Sequence, residues 1–306
     1  MPPKLPRRRA LLLALIAALL GVLLVTVPRL GPVPPIPLPS VDPGATILLA
    51  VGDIGSCDGG EDEKVASLAS RLPGTIAILG DIAYPDGSPT DFASCFDPAW
   101  GPMRDRIRPA PGNHEYQTTD ASSYFSYFGA AAGTPGDGWY SYDLGAWHVV
   151  VLNSNCEFVG CDEGSAQYAW LRADLEAHPA ACTLAYWHHP RVSSGRHGDD
   201  PRTDALWRVL ASAGADLVLV GHDHSYERIG PIEGMRSFVV GTGGRNLYEF
   251  PRPAGARTEL RVNDSYGLLM LTLRDGGFSW RFVPAAGSTL LDAGSDDCHW
   301  RRPEPL

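Results

Sequence analysis

Three segments of the chain share one pattern: an apolar run, a glycine, and then a side chain that can bind a metal ion. Residues 47–52 precede Asp53, residues 76–80 precede Asp81, and residues 217–221 precede His222-Asp223-His224. Apolar runs of this length predict strands that are buried on both faces. Ligands bind at the carboxyl ends of strands in α/β sheets, and a buried carboxylate needs a cation or strong donors. We therefore expect one shared metal site.

Further oxygen and imidazole side chains follow other predicted strands and turns. In chain order the whole set is Asp53, Asp81, Tyr84, Asn113, His114, His188, His222 and His224. The set contains no thiolate, which suits iron, zinc or manganese. Two Asp, one Asn and three His are enough for two ions that share a bridging carboxylate. Two ions about 3.5–4 Å apart stabilise both oxygens of an in-line displacement at phosphorus.

Five motifs in this order resemble those of the calcineurin-like metallophosphoesterases. They are G-D-I-G (52–55), G-D-I-A-Y (80–84), G-N-H-E (112–115), H-H-P (188–190) and G-H-D-H (221–224). Tyr84, three residues after Asp81, and the longer run G-H-D-H-S-Y-E-R (221–228) resemble the purple acid phosphatase branch in particular. The resemblance covers residues 47–228, and the later strands are expected to complete the same domain.

The resemblance implies a role for each ligand and a cofactor of two metal ions. One ion is ferric, bound by Asp53, Tyr84 and His224. The other is divalent iron, zinc or manganese, bound by Asn113, His188 and His222, and Asp81 bridges the two. The implied reaction is hydrolysis of phosphomonoesters by attack of a metal-bound hydroxide. A Tyr84 phenolate on iron would give the protein its colour.

The leaving alkoxide needs a proton donor, and three histidines are candidates. The resemblance favours His114, because family members place a substrate-contacting His inside the Asn-His-Glu motif. His197 follows His188 by nine residues, the spacing of a second such His in plant-type members. His189 is the third candidate, and the alternative is that it faces solvent. Asp223 is expected to cap a turn or orient a His. Glu227 and Arg228 are expected to form an ion pair, and His148 and His178 to be ordinary surface or strand residues.

The order of predicted elements indicates the fold. Strands and helices alternate up to residue 220, and from residue 238 onward the pattern is of strands alone. This predicts an α/β fold of the α+β type, with two packed mixed sheets flanked by helices in a four-layer α/β/β/α sandwich. Residues 108–112 are predicted to be a turn-rich approach to Asn113, and the loops at 85–108 and 157–165 are expected to set substrate choice.

Residues 1–27 are predicted to be a targeting segment. Four basic residues, Lys4 and Arg7 to Arg9, precede an uncharged run from 10 to 27. Its length favours a retained signal-anchor in a membrane over a cleaved signal peptide, with a buried core helix as the third alternative. We expect a Pro-rich linker at 28–45 and a catalytic domain at 46–306. The domain would then be exported, extracellular or periplasmic, and tethered at the cell surface.

Composition narrows the partners. A formal net charge of −10 over 306 residues disfavours nucleic acid as the main partner and leaves a small phosphate ester as the substrate. Six cysteines agree with export, with Cys156–Cys161 and Cys57–Cys95 as the expected disulfides and free buried thiols as the alternative. A phosphodiesterase or nucleotide pyrophosphatase, and a catalytically inactive surface binding module, remain alternative functions. The oligomeric state stays open.

Overall fold

A computed structural model of the protein describes residues 44–299. The predicted signal-anchor and nearly all of the predicted linker lie outside these residues. Within them, no helix combines the length and the apolar character needed to cross a membrane. The domain that follows the linker is built from thirteen described strands and seven described α-helical segments.

The first sheet has six strands in the order β13-β12-β11-β1-β2-β3. Strands β1, β2 and β3 are parallel, and β11, β12 and β13 continue the sheet in antiparallel fashion. The apolar run of β1 has five buried residues out of six, as expected for a central strand. The strands are β1 (Thr46–Val51), β2 (Thr75–Leu79), β3 (Ile107–Ala110), β11 (Gly267–Arg274), β12 (Gly277–Pro284) and β13 (Ala293–Asp297).

The second sheet has seven strands in the order β10-β8-β9-β7-β6-β5-β4. Its centre, β5, β6, β7 and β9, is parallel, and antiparallel strands β4, β8 and β10 lie toward its edges. The strands are β4 (Tyr140–Leu144), β5 (Trp147–Val151), β6 (Cys182–Tyr186), β7 (Leu217–Val220), β8 (Tyr226–Ile232), β9 (Met235–Val240) and β10 (Thr258–Val262).

The helices cover the outer faces of the two sheets. Three acidic residues in the first turn of α1 favour its start, and Gly214 in the left-handed conformation ends α7. The helices are α1 (Glu61–Arg71), α2 (Pro89–Asp91), α3 (Asp97–Trp100), α4 (Ser122–Phe128), α5 (Cys156–Val159), α6 (Ala166–Ala177) and α7 (Asp204–Ala213). A π-helical turn, Phe92–Phe96, joins α2 to α3, and 3₁₀ turns lie at Gly101–Arg106, Glu115–Gln117, Thr119–Ala121, Gly129–Ala132 and Pro201–Thr203.

Three apolar layers hold these elements together. The inner layer packs the two sheets face to face, with Leu48, Val149 and Leu219 completely buried. One outer layer lies between the first sheet, α1 and the aromatic residues of α4; the other lies between the second sheet, α6 and α7. The predicted four-layer α/β/β/α sandwich is therefore confirmed.

One part of the expected architecture was wrong. Residues 108–112 were predicted to be a turn-rich segment, but residues 108–110 belong to β3. In β3, Pro109 pairs with Ile78 of β2. A proline is tolerated there because β3 is the edge strand of the first sheet, where one side of the backbone needs no ladder partner.

All six cysteines form disulfides, so the alternative of free thiols was wrong. Both expected bonds, Cys57–Cys95 and Cys156–Cys161, are present. The third, Cys182–Cys298, joins the first residue of β6 to the residue after β13. It therefore links the second sheet covalently to the first.

Candidate metal centre

The candidate ligands lie where the carboxyl ends of both sheets meet. Asp53 follows β1 and Asp81 follows β2 in the first sheet, whereas His222 follows β7 in the second. All three have positive φ angles of 60°, 49° and 68°, a conformation that costs free energy in residues other than glycine. Backbone strain of this kind is concentrated at functional sites.

The glycines before these ligands permit the close approach of the two sheets. A Cβ atom on Gly80 would stand 2.5 Å from Nδ1 of His188, and one on Gly221 would stand 2.8 Å from a carboxylate oxygen of Asp53. Any larger residue would push the ligands apart. The repeated glycine in the sequence pattern therefore has a direct steric cause.

One group of ligands surrounds the phenol oxygen of Tyr84. This oxygen lies 3.2 Å from Oδ1 of Asp53, 3.1 Å from Oδ2 of Asp81 and 3.2 Å from Nε2 of His224. Nε2 of His224 also lies 3.3 Å from Oδ1 of Asp53. All four residues are almost completely buried.

A second group surrounds Nε2 of His188. This nitrogen lies 3.1 Å from Oδ1 of Asn113, 3.2 Å from Nδ1 of His222 and 3.3 Å from Oδ2 of Asp81. The same oxygen of Asp81 therefore belongs to both groups. The structure brings together all seven residues that the sequence predicts as ligands, in two sets joined by Asp81.

Hydrogen bonds at the far side of two imidazoles show that these donors suit a cation. Nδ1 of His188 donates to the Leu79 carbonyl at 2.7 Å, and Nδ1 of His224 donates to the Asn246 carbonyl at 2.7 Å. This fixes the proton on Nδ1 and directs the lone pair of Nε2 into the centre, as in metal sites. Nε2 of His188 then faces Nδ1 of His222, which is another ring nitrogen. Oxygen and imidazole donors arranged in this way fit two metal ions.

The pKa values of the buried groups show how strongly the charges at the centre interact. Burial would by itself raise the pKa of Asp81, but His188 outweighs it and holds that pKa well below its ordinary range. Burial opposes protonation of His188, whose pKa the charge of Asp81 nevertheless raises to about 9. Burial, then the charges of Asp81 and Asp53, raise the pKa of the Tyr84 phenol well above its usual range. Only a highly charged cation would hold Tyr84 as a phenolate.

Glu115 supports the candidate centre, and the sequence reasoning did not single it out. It is completely buried, and burial followed by the charge of Asp81 raises its pKa to about 7. Its carboxylate ties the Asn113 loop to the Asp81 loop. The signal was present, since Glu115 ends the G-N-H-E motif. It accepts hydrogen bonds from the backbone N–H groups of Gly112 (2.7 Å), Asp81 (3.1 Å), Ile82 (2.8 Å) and Ala83 (3.3 Å).

The three predicted proton donors differ in their exposure and in their position relative to the centre. His114 is half-exposed, its ring centroid is 4.4 Å from that of Tyr84, and its Nε2 is 3.7 Å from Oδ2 of Asp81. His197 is exposed, with its ring 4.1 Å from that of His222. Both therefore border the centre from its open side.

His189, in contrast, is buried, so the alternative that it faces solvent was wrong. Its ring centroid lies 4.5 Å from that of His222, and its Nδ1 hydrogen-bonds the Ser154 hydroxyl at 2.8 Å. Burial, together with the charge of His188, lowers the pKa of His189 to about 3. It is neutral over most of the pH range and is a poor store of a proton.

Two expectations about neighbouring carboxylates have opposite outcomes. Asp223 caps a turn, as predicted, by accepting hydrogen bonds from the Ser193 hydroxyl and from the backbone N–H groups of His197 and Gly198. It thereby fixes the loop that carries His197. The suggested ion pair between Glu227 and Arg228 was wrong: Glu227 accepts from Ser194 and Thr258, and Arg228 pairs with Glu259 and Asp292.

Two arginines and a tyrosine near the centre were also missed. The Tyr248 ring stacks on His224, with centroids 4.0 Å apart and planes 12° apart. The Arg196 guanidinium lies 4.9 Å from the Tyr248 centroid, and that of Arg245 lies 4.9 Å from the Tyr84 centroid. These residues lie in loops, where the sequence has no periodicity that would place them.

A separate His/Asp cluster lies on β4, β5 and α6. His148 was predicted to be an ordinary surface or strand residue; it does lie in β5, but it is buried. Its Nδ1 is 3.0 Å from Asp143 and its Nε2 is 2.9 Å from Asp174. Asp174 also lies 3.2 Å from Nδ1 of His178.

Comparisons with known proteins agree with this geometry. A family model described as calcineurin-like phosphoesterase matches residues 47–226. Purple acid phosphatase 15 of Arabidopsis thaliana is 28% identical over 254 residues, which cover 69% of this chain and 47% of that protein. Acid phosphatase type 7 of Homo sapiens is 31% identical over 169 residues, which cover 46% of this chain and 36% of that protein. The chain thus spans less than half the length of either relative.

A solved structure shares the fold. The purple acid phosphatase from yellow lupin (Lupinus luteus) seeds superimposes with a TM-score of 0.72 at 17% identity. The match covers 83% of this chain and 55% of that chain. The fold therefore has a counterpart in an experimental structure.

Proposed function

Because the chain belongs to the calcineurin-like phosphoesterase family, we propose that it is an exported phosphatase that hydrolyses phosphomonoesters at a centre of two metal ions. One observation carries the proposal: a single carboxylate oxygen of Asp81 lies 3.1 Å from the Tyr84 phenol and 3.3 Å from Nε2 of His188. A carboxylate shared by two complete ligand sets suits two ions, not one.

Each ligand set suits a different ion. Asp53, Tyr84 and His224 would hold a ferric ion, because the buried phenol needs a highly charged cation to ionise. Asn113, His188 and His222 would hold divalent iron, zinc or manganese, and Asp81 would bridge the two. When bound, the ions supply an activated water as nucleophile and neutralise the oxygens of the phosphate.

His114 is the candidate that gives a proton to the leaving oxygen. Its Nδ1 hydrogen-bonds the Pro85 carbonyl, so the transferable proton is the one on Nε2, which faces the centre. His197 lies on the other side, with its ring centroid 4.1 Å from that of His222, and would contact the phosphate or its ester group. His189 would keep His222 in place by packing, since it is buried and neutral.

Export and tethering also belong to the proposal. All six cysteines are oxidised, which suits an extracellular or periplasmic compartment. The uncharged run after Arg9, which lies outside the described residues, would hold the domain at the cell surface.

The first test is the visible absorption and metal content of the full chain, purified in mild detergent. We expect two metal ions per chain and a broad visible band. Tyr84→Phe should abolish the band and keep metal bound. A colourless protein with two zinc or manganese ions would support a phosphoesterase but exclude the ferric ion. A protein that takes up no metal would contradict the mechanism.

The second test separates phosphomonoesters from diesters. It compares the rates of hydrolysis of 4-nitrophenyl phosphate and bis(4-nitrophenyl) phosphate. These substrates have the same leaving group and differ only in the second ester bond. We expect kcat/KM to be higher for the monoester. The reverse order would assign the centre to a phosphodiesterase, and turnover of neither by the metal-loaded protein would favour an inactive binding module.

A further inference from the structure

The loop that carries His197 contains no apolar side chain that could hold it by packing. Its sequence from 193 to 198 is S-S-G-R-H-G. A cavity of about 380 Å³ lies beside it, lined by Ser193 and Ser194 together with residues of the segment 252–258. Because a segment without buried apolar contacts opens easily, the position of His197 depends on the hydrogen bonds of its backbone.

One end of the peptide group before His197 is bound by a carboxylate. The N–H of His197 donates to Oδ1 of Asp223 at 2.7 Å, and the next N–H, of Gly198, donates to Oδ2 at 3.3 Å. The loop approaches Asp223 so closely that a Cβ atom on Gly195 would stand 2.3 Å from the carboxylate carbon. Asp223 therefore holds the N–H end of this peptide group.

The other end of the same peptide group is bound by a guanidinium. Nη1 of Arg252 donates to the carbonyl of Arg196 at 3.2 Å and to that of Gly195 at 2.6 Å. The peptide group that joins Arg196 to His197 therefore has a cation on its oxygen and an anion on its hydrogen. Because a peptide group is planar, binding at both ends fixes its orientation, and this sets the direction in which the side chain of His197 leaves the backbone.

Arg252 is itself held in place. Nη1 of Arg261 donates to the Arg252 carbonyl at 2.8 Å and to the Ser194 hydroxyl at 3.1 Å. Ser194 in turn donates its hydroxyl proton to the buried Glu227 at 2.9 Å. Among the residues that the structure describes, no carboxylate pairs with Arg252, so its guanidinium is directed to the two loop carbonyls.

We propose that Arg252 is a positioning residue for His197, which places that imidazole for its contact with the substrate. The ring centroid of His197 lies 4.1 Å from that of His222, and the ring would shift if the peptide group before it rotated. The inference rests on the proposed function, because His197 contacts a substrate only if the centre is catalytic. It gives Arg252 a role in the reaction that acts through one imidazole.

The experiment is a double-mutant cycle in the full chain loaded with metal. Arg252→Met keeps most of the length of the side chain and removes its donors, and it should lower kcat/KM on 4-nitrophenyl phosphate about tenfold. In the His197→Ala background the same change should lower kcat/KM less than about twofold, because no imidazole is left to misplace. Arg252→Lys, which keeps a charged donor, should retain most of the activity.

Arg257→Met is the matched control. Arg257 lies on the same segment and lines the same cavity, but its side chain forms no hydrogen bond or ion pair with any described residue. This variant should leave kcat/KM unchanged in both backgrounds. An equal loss from Arg252→Met with and without His197 would overturn the inference, since Arg252 would then act through another group.

Hydrogen exchange makes the inference independent of turnover. Arg252→Met should raise the exchange rates of the His197 and Gly198 amides about tenfold and leave those of β6 and β7 unchanged, whereas Arg257→Met should alter none of these rates. If the metal-loaded wild type hydrolyses no phosphomonoester but this difference in exchange persists, the proposed function fails and the hold of Arg252 on the loop stands. Unchanged exchange at these two amides, or a rise that includes β6 and β7, would overturn the positioning role.

Discussion

Two clusters in this protein contain the same residue types, histidine and aspartate, yet their protons are arranged differently. In the cluster around His148, one imidazole lies between two carboxylates, 3.0 Å from Asp143 and 2.9 Å from Asp174. In the metal centre, Nε2 of His188 instead faces an amide oxygen, a carboxylate oxygen and another ring nitrogen.

The two clusters differ in whether the protein itself supplies the protons that the carboxylates accept. A doubly protonated His148 donates to both of its neighbours, so that cluster is satisfied by protein atoms alone. Burial would lower the pKa of His148, but hydrogen bonds to Asp174 and Asp143 raise it. The metal centre differs, because backbone carbonyls take the Nδ1 protons of His188 and His224 and leave their Nε2 atoms facing the carboxylates of Asp81 and Asp53. External cations would complete it.

The largest expected effect comes from replacing the carboxylate of Asp81, which the two ligand sets share. Asp81→Asn keeps the size of the side chain but removes the charge that two ions would share. We expect metal content below two ions per chain and a loss of kcat/KM of about 10³-fold. Metal analysis and steady-state kinetics check both. Asp143→Asn, the corresponding change in the other cluster, should leave both unchanged, and full activity in Asp81→Asn would refute the bridging role.

A smaller effect is expected from the support of the centre. The carboxylate of Glu115 accepts hydrogen bonds from four backbone N–H groups. Glu115→Gln replaces one of its acceptor oxygens by an NH₂ group, which is itself a donor. Because the loops bearing Asp81 and Asn113 lose a common anchor, we expect metal affinity to fall about 10–100-fold. Competition with a chelator measures the affinity. Unchanged affinity with lowered thermal stability would assign Glu115 to folding alone.

The smallest expected effect is on the pH dependence of stability, and it comes from the cluster around His148. The raised pKa of His148 stabilises the fold below about pH 6.5, and this stabilisation is lost as pH rises through the raised value. Asp174 works in the opposite direction. Burial would raise its pKa, but His148 and Ser141 lower it, so its contribution exists above about pH 4 and is lost as pH falls through the lowered value.

The pair should therefore stabilise the fold most between about pH 4 and 6.5. Relative to wild type, His148→Gln should lower the free energy of unfolding by about 1–3 kcal/mol near pH 5 and by less near pH 9. Urea unfolding at both values measures the difference. A deficit that does not change with pH would mean that His148 acts by packing and not by charge.

The sequence predicted well which candidate ligands lie together, because each one follows a local signal. An apolar strand, a glycine and a polar residue place Asp53, Asp81 and His222 at one sheet edge without knowledge of tertiary contacts. The fold followed from the same alternation of elements. Strand β3 was missed because Pro109, with Pro111 just after the strand, resembles a turn, and only the position of β3 at the sheet edge makes Pro109 acceptable.

What could not be predicted depends on contacts between distant segments. Arg196 and Tyr248 are 52 positions apart by their residue numbers and meet only through the loops after β6 and β9. Likewise, His148 alone in β5 gives no sign of the two carboxylates that β4 and α6 bring to it. Neither region has hydrophobic periodicity that would report its partner.

The disulfide between Cys182 and Cys298 has a consequence for how the protein is made. Its two cysteines are separated by 116 positions, and they join the sheet that carries the histidines to the sheet that carries the aspartates. The ribosome therefore releases the histidine-bearing strands well before the bond that clamps them can form. Ions bound earlier would be held by a centre whose two halves are still free to separate, so metal loading is expected to follow oxidation during maturation.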